Sequence, residues 1–386
     1  MPVTRLTQLC PSFLPYWVPI FDELSSNVGQ QYTVITQSAQ SMTFAKKSQE
    51  IGSFRRKIIT GMRIALADGK ANQGLGTPMG LNIAPSLPFH LIKLDPQVVI
   101  ASNFGLWSMI SIVMRYPTVI FWEGTLHTER TVRSWRKHIR VWMAQRAYSF
   151  VVNGEAAKEY LITELGVPLE KIFVGGLCAE PPPKQGTSTS ARKYESESTV
   201  RFVCTGQLIK RKGVAYLIRA VAHLNARFPP GSFELVILGD GPEREHLVEL
   251  AARTKSDEQI RFVGKVPPDK VWDYYGSAHV FVLPTLQDNW PLVVPEAMSA
   301  GLPVLVSKFA GSVPDLIREG VNGNSFDPHD PADIAVKMGR YITDPSLIER
   351  HGRNSLRIVS PYTPSRVANV YLDAVAYAYD QVSEGI

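Results

Sequence analysis

The stretch Thr285-Leu-Gln-Asp-Asn-Trp-Pro-Leu-Val-Val-Pro-Glu-Ala-Met-Ser-Ala-Gly301 decides how this 386-residue chain is read. An apolar, strand-like run precedes it (Val280-Phe-Val-Leu-Pro284), and another follows at once (Pro303-Val-Leu-Val-Ser307). Between them the polar residues make an elbow. The spacing then predicts a short helix with Pro291 at its first position and Gly301 just past its end. A strand, an elbow and a helix N-terminus together present free backbone N–H groups, which favour an anion. Asp288 and Glu296 bracket that place. A diphosphate joined to two hydroxyl-bearing rings suits it: N–H groups for the phosphates, a carboxylate for each ring.

Outward from this stretch, strand-like runs alternate with helical ones. In the second half the runs are 200–205, 234–238, 259–263, 280–284 and 303–307; in the first half they are 31–36, 97–101, 118–122 and 149–153. That alternation predicts doubly wound parallel sheets, which bind ligands beyond the carboxyl ends of their strands. Between Gly175 and Thr199 the composition shifts to Gly-Gly, Pro-Pro-Pro and Gln-Gly-Thr-Ser-Thr-Ser, the mark of a linker. The expected domains are 1–178, a linker at 179–198, a second domain at 199–362 and a final helix at 363–386.

Composition bounds the class. Three cysteines (Cys10, Cys178, Cys204) without metal-like spacing fit buried, reduced thiols in a cytosol. The N-terminus lacks a signal-peptide pattern. The longest uncharged run, 96–114, divides into a strand, a loop and a helix. Residues 1–190 hold 19 Lys and Arg against 12 Asp and Glu; the remainder hold 22 against 23. The net charge of +6 therefore belongs to the first half, pointing to an anionic surface or ligand there. Two basic helices are predicted in it. Over 131–147, Val132, Trp135, Ile139, Trp142 and Met143 share a stripe ringed by Arg133, Arg136, Lys137, Arg140 and Arg146; over 54–67 stand Arg55, Arg56, Lys57 and Arg63. Such helices can lie peripherally on an anionic membrane, or pack their stripe inward under a solvated basic face; both readings stay open. Gly74-Leu-Gly-Thr-Pro-Met-Gly80 is read as a loop, because its third glycine is displaced from the dinucleotide fingerprint and no strand precedes it.

Four motifs follow in order: Gly206-Gln-Leu-(x3)-Lys-Gly213, Leu238-Gly-Asp-Gly-Pro242, Phe262-Val-Gly-Lys-Val266 and Asp288-(x7)-Glu296-Ala-Met-Ser-Ala-Gly301. Their order resembles the group 1 (family 4) retaining glycosyltransferases, closely over about 200–345 and only in layout before that. The resemblance implies the GT-B fold: two Rossmann-like α/β domains facing across a cleft, with the C-terminal helix crossing back to the first. It implies transfer from a nucleotide-sugar donor to a lipid-linked, saccharide or polysaccharide-building acceptor, as in cell-envelope synthesis, with retention. Neither a metal, another cofactor nor nucleic acid is expected.

The resemblance also assigns residues. Lys212 matches the lysine at the donor diphosphate, Glu296 the glutamate on the ribose, and Asp288 stands where a glutamate usually faces the transferred sugar. Asn289, Trp290, Pro291 and Leu292 match the segment around the phosphates and sugar. Gly206 and Gln207 begin the phosphate-side turn; Gly239, Gly241, Val263 and Val266 lie where the base is held. Glycines after a strand are read as leaving room for a flat ring. From the first domain Glu123 and His127 are the candidates facing the reacting sugar, against elbow carboxylate and helix histidine. The chain departs from the pattern at three places: Gln207 for an arginine, Asp288 for a glutamate, and Gln8-Leu-Cys-Pro-Ser-Phe-Leu-Pro15 where a glycine-rich loop is usual. Two alternatives stay open: a nucleotide-sugar epimerase of the same fold, and a non-catalytic nucleotide-sugar binder, which Gln207 and Asp288 make conceivable.

Overall fold

A computed structural model describes residues 3–29, 31–37, 54–65, 80–175, 177–178 and 199–384, which form two units. The first extends to Cys178 and takes back the chain from Tyr362 onward; the second ends at Pro361. The predicted linker, 179–198, and all of the Gly74–Gly80 motif except its last residue lie outside the described residues.

The first unit contains β1 (Leu6–Leu9), β2 (Tyr32–Gln37), β3 (Arg55–Ile59), β4 (Met62–Ala65), β5 (Gly80–Ile83), β6 (Val98–Ser102), β7 (Thr118–Trp122), β8 (Ser149–Val152) and β9 (Ile172–Val174). Seven of them form one parallel sheet in the order β3-β2-β1-β6-β7-β8-β9, while β4 and β5 pair antiparallel beside it. Strands β1, β7 and β8 are buried throughout, and β6 in all but Ser102. Helices covering both faces of a parallel sheet explain why these strands read as nearly unbroken apolar runs. The final helix, Pro364–Ser383, starts where Thr363 accepts a hydrogen bond from the Arg366 N–H (3.2 Å). It buries Val367, Tyr371, Ala374, Val375 and Ala378. Tyr371 stacks on Phe121 of β7 (5.9 Å), and Ser149 of β8 donates to the Ala374 carbonyl (2.8 Å).

Over its described residues, 54–65, the basic segment expected as a helix is instead β3 and β4; 66–67 lie outside the described residues. Phe54, Ile58 and Met62 are spaced like a helical stripe, but pairing with β2 decides: Phe54 packs on Phe21 (5.5 Å) and Ile59 enters the core, while Ile58 is exposed. Arg56 stands over the Phe13 ring at 4.3 Å. The basic helix expected over 131–147 exists as Ser134–Ala144, yet one of its cations is not on a solvated face. Arg140 is buried, donates to Glu129 Oε2 (2.6 Å) and Tyr160 Oη (2.7 Å), and lies 4.8 Å from the Trp122 ring. Of the stripe, Met143 is buried and Trp135 is exposed.

The second unit is a six-stranded parallel sheet, β12-β11-β10-β13-β14-β15. Its strands are β10 (Val200–Thr205), β11 (Phe233–Leu238), β12 (Ile260–Gly264), β13 (Val280–Leu283), β14 (Val304–Ser307) and β15 (Gly323–Phe326). Both sheets are doubly wound, and strand order reverses between β1 and β6 in one and between β10 and β13 in the other. At such a reversal the loops leaving two neighbouring strands diverge, opening a crevice for a ligand. Among the described residues no helix is long and apolar enough to cross a membrane.

Candidate functional site

The segments after β10 and β13 meet at the reversal point of the second unit. After β10, backbone bonds hold the chain against the ends of β11 and β12. Gly206 N–H donates to Leu238 O, Leu208 N–H to Asp240 O (both 3.0 Å), and Gly239 N–H to Gly264 O (2.8 Å). At Gly239 φ is 136°, and a Cβ would stand 1.8 Å from Gly206 O. At Gly241 a Cβ would stand 2.5 Å from Leu208 O. These glycines make room for neighbouring backbone, a tighter demand than the flat ring read from sequence. Gln207 is exposed; Val263, within β12, and Val266, just after it, are half-buried.

The turn Lys210–Lys212 is latched to the segment after β13. Leu286 N–H donates to Arg211 O (2.8 Å), Thr285 Oγ1 donates to the same oxygen (3.3 Å), and Arg211 Nη1 donates to Gln287 O (2.7 Å). Two cations converge on one carboxylate: Lys212 Nζ is 2.5 Å and Arg211 Nη1 3.6 Å from Asp288 Oδ2. The lysine and aspartate side chains are 16% and 13% exposed, enough shielding to make this a stronger pair than an ordinary surface bridge. Arg211, which the sequence allows as an exposed charged turn, is half-buried in this arrangement; Lys210 alone stays exposed.

The helix after Asp288 is Val293–Ser299, so Pro291 lies two residues before it. The Val294 N–H bonds back to Pro291 O (3.0 Å), making residues 291–294 a turn that delays the helix. Asn289 and Leu292 are half-buried; Trp290 and Pro291 are buried. Within the helix Glu296 accepts a hydrogen bond from Tyr275 Oη (3.2 Å). Burial, with the Glu296 charge beside it, raises the Tyr275 phenol well above its usual range, so it stays a donor. Burial pushes the Cys204 thiol up to about 12, leaving a protonated cysteine under Lys212.

Glu123 and His127 belong to the other unit. Glu123 follows β7 and accepts from Asn153 Nδ2 (3.4 Å). It also faces Cys10, Tyr16 and Tyr371: all three are raised first by burial and further by the Glu123 charge, Cys10 to about 12. His127 is half-buried and in no helix, standing inside a turn closed by Thr125 N–H to Thr128 Oγ1 (2.8 Å). The sequence offers Arg211 as a cation for the diphosphate and marks the elbow at Asn153, but it does not point to Tyr275. Tyr275 carries no motif, and only its place one strand away from Glu296 reveals it.

Two doubly wound parallel sheets, one in each unit, make the GT-B fold. Anabaena HepE, solved with UDP and glucose, superposes with TM-score 0.70 at 17% identity, covering 97% of this chain and 99% of that one. The lipopolysaccharide outer core galactosyltransferase WaaB superposes with TM-score 0.72 at 14% identity, covering 96% and 99%. Residues 188–357 match the family model "Glycosyl transferases group 1". A D-inositol 3-phosphate glycosyltransferase of Corynebacterium jeikeium is 31% identical over 185 residues, 46% of this chain and 42% of that protein. The corresponding enzyme of Corynebacterium kroppenstedtii is 27% identical over 251 residues, 60% and 55%. The chain thus spans about half the length of these curated relatives.

Proposed function

We propose that the protein moves a sugar from a nucleoside diphosphate sugar to a hydroxyl of a lipid-linked or saccharide acceptor, with retention and without a metal ion. The observation that carries this reading is the convergence of Lys212, Arg211 and Asp288 at the reversal point, with the Tyr275–Glu296 pair on the next helix. In the reaction the bond from the anomeric carbon to the phosphate oxygen breaks and a bond to the acceptor oxygen forms on the same face. The acceptor hydroxyl's proton is released to solvent, and the nucleoside diphosphate leaves with one added negative charge. Lys212 stabilises that charge, because a preorganised cation in a shielded place acts strongly on developing charge. Glu296, oriented by Tyr275, receives the ribose hydroxyls. Asp288 meets the transferred sugar once the diphosphate has drawn Lys212 from it. Since HepE was solved with UDP, uridine is the first base to try.

The test is incubation with a panel of UDP-sugars, with and without saccharide acceptors, in EDTA. Expected is UDP release that requires an acceptor and matches product formed one for one. Conversion of the sugar without acceptor would show an epimerase, and binding without turnover would show a carrier; loss of activity to EDTA, restored by Mg²⁺, would overturn metal independence.

Glu123 is the first unit's candidate for the face of the reacting sugar. Glu123→Gln keeps its shape and Asn153 contact, and it should lower kcat about tenfold with donor KM unchanged, the worth of one charge-assisted hydrogen bond. Unchanged turnover in a folded variant removes Glu123 from the site.

A further inference from the structure

The second unit carries a recess that the donor residues do not line. It has a volume of about 350 Å³, within the range of small-molecule sites. It opens between the helices Val214–Asn225 and Arg244–Arg253 and is bordered by Ile209, Lys210 and Gly213 of the cationic turn. Val214, Leu247 and Leu286 make its walls apolar. Its rim is charged. Lys210 and Arg219 are exposed there, and among the described residues neither forms an ion pair. The Arg219 guanidinium stays 5.5 Å over the Tyr216 ring, at the edge of the opening. The acid on the rim, Glu243, is already engaged, with Oε2 3.4 Å from His246 Nδ1.

Two unpaired cations beside an apolar cavity specify a ligand with a multiply charged head and a hydrocarbon body. Arginine prefers phosphate, which its planar donors meet in pairs, and lysine adds a second charge. At about 30 Å³ for each water-sized group, the volume takes a chain of roughly ten carbons. We propose that this recess binds an amphiphilic phosphate monoester. The alkyl chain lies among Val214, Leu247 and Leu286, and the phosphate sits on Lys210 and Arg219. This site rests on the second unit alone and not on the donor reading: Lys212 and Asp288 do not line it.

The experiment is calorimetric titration of the full chain with octyl phosphate, octyl glucoside and inorganic phosphate, each below any micelle-forming concentration. Octyl phosphate should saturate one site at least tenfold more tightly than either other probe, which carry only the chain or only the charge. Ala215→Trp fills the recess and should weaken octyl phosphate at least tenfold while leaving UDP binding and Tm intact. The double variant Lys210→Gln with Arg219→Gln changes only exposed side chains, so it keeps the test valid if Ala215→Trp fails to fold. It should bring octyl phosphate down to the affinity of octyl glucoside. Absence of saturable octyl phosphate binding, equal binding of octyl glucoside by the unaltered protein, or octyl phosphate affinity unchanged in the double variant would each overturn the proposal.

Discussion

Lys212→Met lowers kcat/KM for sugar transfer by about 10²–10³-fold and leaves the protein folded. Methionine keeps an apolar stem where the lysine stem passes, close to where a Cβ on Gly206 would stand (3.9 Å). Asp288 is not stranded by the change, since Arg211 remains 3.6 Å away. What disappears is the ammonium that would meet the leaving phosphate. Gln207, standing where the resembled family has an arginine, is neutral and cannot take over. The loss should fall on kcat as well as KM, because charge on the leaving oxygen grows toward the transition state. Steady-state rates with UDP release as readout check this; a loss below tenfold would mean that another group neutralises the diphosphate.

Asp288→Asn has the opposite effect on the product and separates two roles of one side chain. In the unliganded protein Asp288 holds Lys212 at 2.5 Å, so an arriving diphosphate competes with a carboxylate for that cation. With asparagine the competition ends, and UDP binds about tenfold more tightly, about 1.4 kcal/mol. The same variant loses the carboxylate that would face the transferred sugar, so the intact donor gains less than UDP does, and kcat falls. Calorimetry with UDP and a non-transferable UDP-sugar reads both. Equal weakening of the two ligands would sink the competition argument. The variant also leaves two half-buried cations with less compensation, and its Tm falls by a few degrees.

How much of this was legible in the sequence depended on where the information lay. Strand β7 and strand β10 were bounded to the residue, because Thr118–Trp122 and Val200–Thr205 are buried runs rich in β-branched and aromatic residues. Strand β15, Gly323–Phe326, reads Gly-Asn-Ser-Phe and has no such signal; only its pairing with β14 makes it a strand. β3 was misread as helix for the same reason, since its conformation is set by a partner on β2. In the site, Lys212 and Asp288 were each singled out, but 76 residues separate them and nothing in the chain announces that they touch. The Arg211 latch was invisible because its acceptor, the Gln287 carbonyl, is a backbone atom that every residue has. Local spacing thus shows which residues matter, while ion pairs and caps formed across a sheet become visible only after folding.

The return of Pro364–Ser383 to the first unit bears on the order of assembly during synthesis. Tyr371, Ala374 and Ala378 cover a face that β7 and β8 leave open, and they emerge from the ribosome only after the whole second unit. Until then the first unit's sheet is translated but one apolar side is unsealed. The second unit, contiguous from β10 to Pro361, has no such wait and can close while the first is unfinished. The nascent chain is therefore exposed to aggregation at its older half, the reverse of the usual order in which domains mature from the N-terminus.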